Sequence, residues 1–181
     1  MFPWTHAAFG YALFVLLAGA LVALGLRGRL SKAELLAVVF ATQLPDLVDK
    51  PLAWWFALIP SGRSLAHSLV LAVPLSLAVL AVARHRGHAE VGLAFAVGYA
   101  SHLVGDVYVA VYYWRVEEFT FLLWPVLPAY PYDDYAGLGA LVGGIELTTP
   151  LLSAVGLAVF AGLVFLVHFL RAPWWSPAVR R

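Results

Sequence analysis

Long apolar runs separated by short polar turns divide the chain into five segments. Three of the runs have the length of a membrane-spanning helix, which needs ~20 mostly apolar residues; they cover residues 7–26, 64–83 and 150–170. A fourth run, 90–113, is long enough but contains an ionisable pair, and a fifth, 33–49, is short for a span. The pattern predicts an all-α fold, a polytopic transmembrane helix bundle of about five helices.

Two further stretches lack the pattern of spanning helices. The segment PLAWWFALIPSG, residues 51–62, is too short to cross a bilayer. It is predicted to be an interfacial or re-entrant segment. Residues 119–149 are rich in Pro, Gly and Tyr, which are typical of loops and interfacial turns. We expect residues 1–181 to form a single membrane-embedded domain in which 119–149 lies over one end of the bundle.

The composition is that of an integral membrane protein. Hydrophobic residues make up 63% of the 181 positions and charged residues only 12%, against roughly 25% charged residues in an ordinary soluble domain. The chain has no cysteine, which excludes disulfides and thiolate metal sites. It also lacks a basic patch with interleaved aromatic residues, so nucleic acid is not an expected partner.

The distribution of basic residues predicts the orientation of the bundle, because cytoplasmic loops are enriched in Lys and Arg. With five spans, three of the 11 basic residues fall on one side and eight on the other. We therefore expect the N-terminus outside and the C-terminus in the cytoplasm. The outer residues are Lys50, Arg63 and Arg115, and the inner ones are Arg27, Arg29, Lys32, Arg84, Arg86, Arg171, Arg180 and Arg181.

Ionisable residues from four distant segments are predicted to meet at the outer end of the bundle. A charged residue at mid-membrane costs ~2.5–3.5 kcal/mol on insertion scales, and intramembrane ionisable groups are functional by default. Their convergence at one depth therefore indicates a functional site. The converging residues are His6, Asp46, Asp49, Arg63, His67, His102 and Asp106.

The spacing of these residues is that of metal ligands. His102 and Asp106, at i and i+4, lie on one helix face with β-carbons ~5–6 Å apart, and both side chains can reach one metal at ~2.0–2.2 Å. Asp46 and Asp49 form a second pair at i and i+3. Nitrogen and oxygen ligands without sulfur suit zinc, with manganese or iron as alternatives. Taken singly, each residue also fits a structural role, such as a buried hydrogen-bonded pair or a helix end.

Several motifs resemble a known family. THAAFG, LPDLVDKP, GRSLAHS, SHLVGD and FLLWP follow one another in the order of the YdjM-like family of membrane-bound, predicted metal-dependent hydrolases. The HxxxD element of SHLVGD is also similar to part of the site in zinc-dependent phospholipase C enzymes. The resemblance implies a small multi-pass hydrolase of the inner membrane with a divalent metal. It implies the metal ligands His6, Asp46, His67, His102 and Asp106, with Arg63 as an accompanying basic residue.

These observations together favour a membrane-bound metal-dependent hydrolase that acts on a lipid or lipid-linked phosphodiester or ester. Arg63 is expected one turn outward from His67 on the third helix, where its forked, permanently charged guanidinium would hold an anionic group of the substrate. Asp49 and Glu146 are further catalytic candidates, since a carboxylate near an activated water can act as a general acid or base. Membrane lipids are the expected partners.

Alternatives stay open for both the site and the function. Glu146, like Asp133 and Asp134 in the same segment, also fits a solvated loop charge. A small ion or proton transporter could use the same polar residues, and a non-catalytic membrane subunit would fit the same sequence. The remaining histidines, His85 and His88 in a turn and His168 near the last helix end, are expected to contact solvent or lipid headgroups.

Overall fold

The computed structural model describes residues 2–112, 114–130 and 149–175, and every regular element within these ranges is a helix. This confirms the predicted all-α class for the described part of the chain. The elements are α1 (Pro3–Ala23), α2 (Lys32–Trp54), α3 (Leu69–His85), α4 (Ala89–Tyr112), a 3-10 helix (Val116–Leu123) and α5 (Thr149–Arg171).

The central helix of the bundle is α4, which packs against α1, α2 and α3, while α5 contacts mainly α1. Buried apolar side chains such as Leu35, Val38 and Tyr99 fill the spaces between the helices. The axes of α2 and α4 approach closely at Gly98, where an added Cβ would lie only 2.4 Å from the Val38 carbonyl oxygen. This close approach brings the polar residues of α4 against those of α2.

At one end of the bundle, a helix cap, an ion pair and a backbone hydrogen bond stabilise the start of α2. At the start of α2, the Ser31 hydroxyl accepts a hydrogen bond from the Glu34 amide, and the Glu34 carboxylate accepts one from the Ser31 amide. Arg27 forms an ion pair with the buried Glu34. The segment after α5 crosses the same end, where the Pro173 carbonyl accepts a hydrogen bond from the Lys32 amide at 2.7 Å. The chain after α5 is therefore tied to the beginning of α2.

The second helix is longer than the predicted segment 33–49, because it continues through Pro51 to Trp54, inside the segment 51–62. A further proline, Pro45, lies in its interior. A proline inside a helix cannot donate the usual backbone hydrogen bond. Membrane helices tolerate such breaks where neighbouring groups satisfy the freed backbone. Three residues before Pro45, the Thr42 carbonyl accepts a hydrogen bond from His102 Nδ1 at 2.6 Å, which joins the backbone of α2 to α4. The predicted interfacial segment therefore begins as the last turn of α2.

The third helix starts later than the apolar run 64–83 suggests. Ser68 is its N-cap, and the serine hydroxyl accepts a hydrogen bond from the Val70 amide at 3.1 Å. A capping serine has extended backbone dihedrals, which end the helix on its N-terminal side. The preceding residues, 55–68, form turns and bends. The prediction that this stretch is helical from residue 64 is wrong.

Within the described residues, two helices, α1 and α4, are long and apolar enough to cross a membrane. Shorter apolar helices are Leu69–His85 and Val155–Arg171. Both shorter helices expose large hydrophobic side chains, among them Leu77 and Leu163, a surface typical of contact with lipid. The fold contains candidate membrane-crossing helices, but it does not by itself confirm a five-span bundle.

Candidate metal centre

Five ionisable side chains meet at the end of the bundle opposite to the capped start of α2. Three helices and the loop before α3 supply them, and the close packing of α4 against α1 and α2 brings them together. Four of the five are buried, and the Asp46 side chain retains 11% exposure. The five residues are His6, Asp46, His67, His102 and Asp106, which are the five ligands expected from the sequence.

The centre of the cluster is a pair of imidazole nitrogens. The Nε2 atoms of His67 and His102 lie 3.1 Å apart. Asp106 Oδ2 lies 3.4 Å from the first nitrogen and 3.6 Å from the second. Asp46 Oδ1 approaches the same two nitrogens at 3.5 Å and 3.9 Å. Two carboxylates and two imidazoles therefore surround one small space.

On the side of each ring that faces away from the central space, a hydrogen bond at Nδ1 determines which nitrogen carries the proton. His102 Nδ1 lies 2.6 Å from the Thr42 carbonyl oxygen, which can only accept, so this nitrogen carries a proton. His67 Nδ1 donates in the same way to Asp49 Oδ2 at 2.8 Å. In neutral rings both Nε2 atoms would then present lone pairs to each other, and the space between them requires a cation.

The surroundings of His67 stabilise positive charge. Burial by itself lowers the pKa of His67, but hydrogen bonds to the three surrounding carboxylates outweigh burial and raise the pKa to about 10. The ring is therefore held as a cation near neutral pH. Metal ligands must be deprotonated, so a divalent metal bound between the rings would replace this proton.

His6 completes the cluster from α1. Its ring stacks on His102 with 3.8 Å between the ring centroids, and its Nε2 lies 3.4 Å from Asp106 Oδ1. The His6 Nδ1 atom is buried and has no hydrogen-bond partner among the described residues. A buried nitrogen without a partner is costly, and such groups are typical of sites where a water or an ion completes the surroundings.

The cluster contains two overlapping sets of possible ligands. One set is His6, His102 and Asp106, the other is Asp46, His67 and His102, and within each set the ligand atoms lie within 4.8 Å of one another. These buried nitrogen and oxygen donors fit a divalent metal. His102 belongs to both sets, so its imidazole is the common element of the centre.

Asp49 lies behind His67 and not in the central space. Besides His67 Nδ1, its carboxylate accepts hydrogen bonds from the backbone amides of Ser64 at 2.9 Å, Ala66 at 2.8 Å and His67 at 3.2 Å. The same loop is held from α4 by Tyr99, whose hydroxyl donates to the Ala66 carbonyl at 2.6 Å. This geometry favours a role for Asp49 in positioning His67, and its predicted catalytic role remains a prediction.

Two cations border the cluster on its more exposed side. Arg63 Nη2 lies 3.2 Å from Asp106 Oδ1, and Lys50 Nζ lies 2.6 Å from Asp46 Oδ2. Arg63 therefore contacts a candidate metal ligand directly. Its expected place one helical turn from His67 is wrong, because both residues lie in the loop before α3.

Several residues of interest lie away from the cluster. Glu146, Asp133 and Asp134 fall outside the described residues. The expectation that the other histidines face solvent or headgroups is correct for His85, which is exposed. For His168, which is half-buried, it remains a prediction, and the structure adds a contact in which its Nδ1 lies 3.2 Å from the Tyr11 hydroxyl.

Two contributors to the centre are absent from the sequence prediction. Lys50 stands four residues after Asp46 on α2, so helical spacing could have revealed that ion pair. Thr42 contributes through its backbone carbonyl, which accepts a hydrogen bond from His102. A pattern of side chains in the sequence cannot predict such a backbone contact.

Comparison with known proteins agrees with the motifs. No curated protein and no solved structure matches the chain. The model of the YdjM inner membrane protein family matches residues 1–172, nearly the whole sequence and all five residues of the cluster. The chain therefore belongs to the YdjM inner membrane protein family.

Proposed function

We propose that this protein is a membrane-bound metal-dependent hydrolase that acts on a lipid or lipid-linked phosphodiester or ester. The observation that carries the proposal is the cation-requiring space between His67 and His102, whose Nε2 atoms are 3.1 Å apart. Membership of an inner membrane protein family supports a substrate that reaches the centre from the bilayer. The metal we propose is zinc, with manganese or iron as alternatives.

The residues around the centre would have different roles in such a reaction. A divalent metal, when bound, would act as a Lewis acid towards water and the scissile ester. Asp49 and the Thr42 carbonyl would hold the ligand rings in orientation, as outer partners of metal-bound histidines do. Arg63, with its side chain 29% exposed, would hold its guanidinium towards a phosphoryl oxygen of the substrate.

The proposal includes a topology of five spans with the metal centre at the outer face. The test is to introduce single cysteines at Leu58 and His85, which are exposed at opposite ends of the bundle. The parent chain contains no cysteine, so a maleimide can label only the introduced residue. A membrane-impermeant maleimide added to intact cells should label Leu58→Cys and not His85→Cys. Labelling of His85→Cys alone would reverse the orientation.

Hydrolysis can be tested on the purified chain in vesicles of phosphatidylglycerol and phosphatidylcholine supplied with zinc or manganese. Mass spectrometry would follow the release of headgroup or fatty acid. We expect product from the parent and none from His102→Ala, since that imidazole is shared by both ligand sets. Ion flux across the vesicle membrane without any product would favour the transporter instead.

We predict that Arg63→Lys lowers turnover of a phosphodiester lipid roughly ten- to a hundredfold, because a charge-assisted hydrogen bond is worth about 1.5–3 kcal/mol. Lysine keeps the charge near Asp106 but lacks the fork, so metal content should stay near that of the parent. The matched control is Arg115→Lys, since Arg115 pairs with Glu118 outside the cluster at 3.0 Å. Equal turnover in the two lysine variants would remove Arg63 from substrate binding.

A further inference from the structure

A groove lies at the end of the bundle opposite to the metal centre. It has a volume of about 440 Å³ and opens between the C-terminal half of α3 and the start of α4. Its walls are apolar and include Val79, Val82 and Val91, whereas Arg86, His88 and Trp175 line its polar end. An open apolar groove with a basic mouth thus lies along the outer side of α3 and α4.

The mouth of the groove is built from a segment that is fixed in place. Trp175 stacks on His88 with 4.0 Å between the ring centroids and 17° between the planes. The chain just before it is anchored, because the Trp174 carbonyl accepts a hydrogen bond from the Ala33 amide at 3.3 Å. The indole remains 53% exposed, as is typical of tryptophan at a membrane interface.

The charge at the mouth is positive. Among the described residues, none forms an ion pair or a side-chain hydrogen bond with Arg86, which is exposed at the end of α3. Arg84 lies in the same turn, and the acidic group nearest in sequence is the exposed Glu90 in the first turn of α4. A guanidinium over an apolar channel is complementary to a molecule with an anionic head and a hydrocarbon tail.

We propose that this groove binds an anionic phospholipid, with its phosphate at Arg86 and His88 and the first part of one acyl chain against Val82 and Val79. Basic pockets between membrane helices are known to bind anionic lipid headgroups. An acyl chain matches the apolar walls, whereas a soluble phosphate ester has no apolar part that would contact them. Because these residues are far from the His/Asp cluster, the proposal stands independently of hydrolase activity.

The test is native mass spectrometry of the full chain, purified in detergent and stripped of lipid. Phosphatidylglycerol and phosphatidylcholine with identical acyl chains are titrated separately, and soluble glycerol phosphate is the control for the headgroup alone. We expect phosphatidylglycerol to bind at least fivefold more tightly than phosphatidylcholine and glycerol phosphate to show no binding. Equal affinity for the two lipids, or tight binding of glycerol phosphate, would overturn the proposal.

Matched variants locate the site. Arg86→Ala should weaken phosphatidylglycerol binding about fivefold, the equivalent of one basic residue near a membrane surface. Arg84→Ala removes the same charge from the same turn but outside the groove, and it should leave the affinity nearly unchanged. Ala78→Trp should fill the groove from an exposed position and weaken binding with every charge intact. Equal losses in Arg84→Ala and Arg86→Ala would indicate diffuse attraction and overturn the assignment.

Discussion

Replacing His102 by alanine should lower the metal content of the purified protein to background, with a loss of affinity of at least about a hundredfold. Mutation of an outer partner of a metal ligand already costs 10- to 100-fold in affinity, and the loss of a ligand itself should cost more. His102 belongs to both overlapping ligand sets. Its removal therefore leaves neither set with three donors.

The other ligands allow a graded comparison. His6→Ala disrupts only the set that contains Asp106, and Asp46→Ala disrupts only the set that contains His67. If the centre holds two metal ions, each single variant should retain about one of them. If it holds one ion, the variant that keeps more metal identifies the set that binds it. Metal analysis after equal washing with chelator distinguishes these outcomes.

A histidine at the other end of the bundle serves as the control. His168→Ala removes an imidazole that contacts Tyr11 on the adjacent helix at 3.2 Å. This variant reports the cost of losing a helix-packing histidine, and its metal content should equal that of the parent. Undiminished metal in His102→Ala, with both variants folded, would show that the metal does not depend on the imidazole common to both ligand sets, and the assignment of the centre would be wrong.

The part of the centre that follows from local helical geometry is predictable from the sequence. His102 and Asp106 share a face because they are four residues apart in one continuous helix. His6 and Asp46 reach the same end because successive helices run in opposite directions. In both cases, position along a helix determines position in the bundle.

The parts of the centre that depend on loop structure are not predictable in this way. The run that contains His67 is apolar enough to suggest a helix from residue 64, but Ser68 starts the helix five residues later at Leu69. The intervening loop is held by Asp49, which accepts three backbone hydrogen bonds from it. Hydrophobicity predicts the membrane segment, whereas a cap and one buried carboxylate decide where the helix begins.

The competition between hydrophobicity and local hydrogen bonds also explains the lengths of the helices. The loop before α3 takes up residues that were predicted to be helical, and α3 is 17 residues long. By contrast, α2 gains a turn because it continues through Pro51 to Trp54. An apolar run therefore fixes the existence of each helix better than its ends, because caps and tertiary hydrogen bonds set the boundaries. For this reason, only some of the five predicted membrane spans form long apolar helices among the described residues.

Asp49→Asn should weaken metal binding roughly 10- to 100-fold, as for other outer partners of metal ligands, and should destabilise the protein by about 1–3 kcal/mol. Asp49 Oδ1 accepts from the Ala66 amide, and Oδ2 accepts from two amides and from His67 Nδ1. An amide has one oxygen and one NH2 group, so in either orientation a donor would face a donor. With the NH2 group at the Oδ2 position, His67 Nδ1 loses the acceptor that fixes its tautomer. With the NH2 group at the Oδ1 position, the Ala66 amide next to His67 loses its acceptor.

The control for a purely structural effect is Glu34→Gln. Glu34 is also a fully buried carboxylate that accepts a backbone hydrogen bond, from Ser31, and its ion pair is with Arg27 at the other end of α2. Thermal unfolding should show that both substitutions destabilise the fold. Metal affinity, measured by competition with a chelator well below the unfolding temperature, should fall only in Asp49→Asn. A similar metal affinity in both variants would reduce Asp49 to a loop anchor, because positioning of His67 then has no effect on the metal.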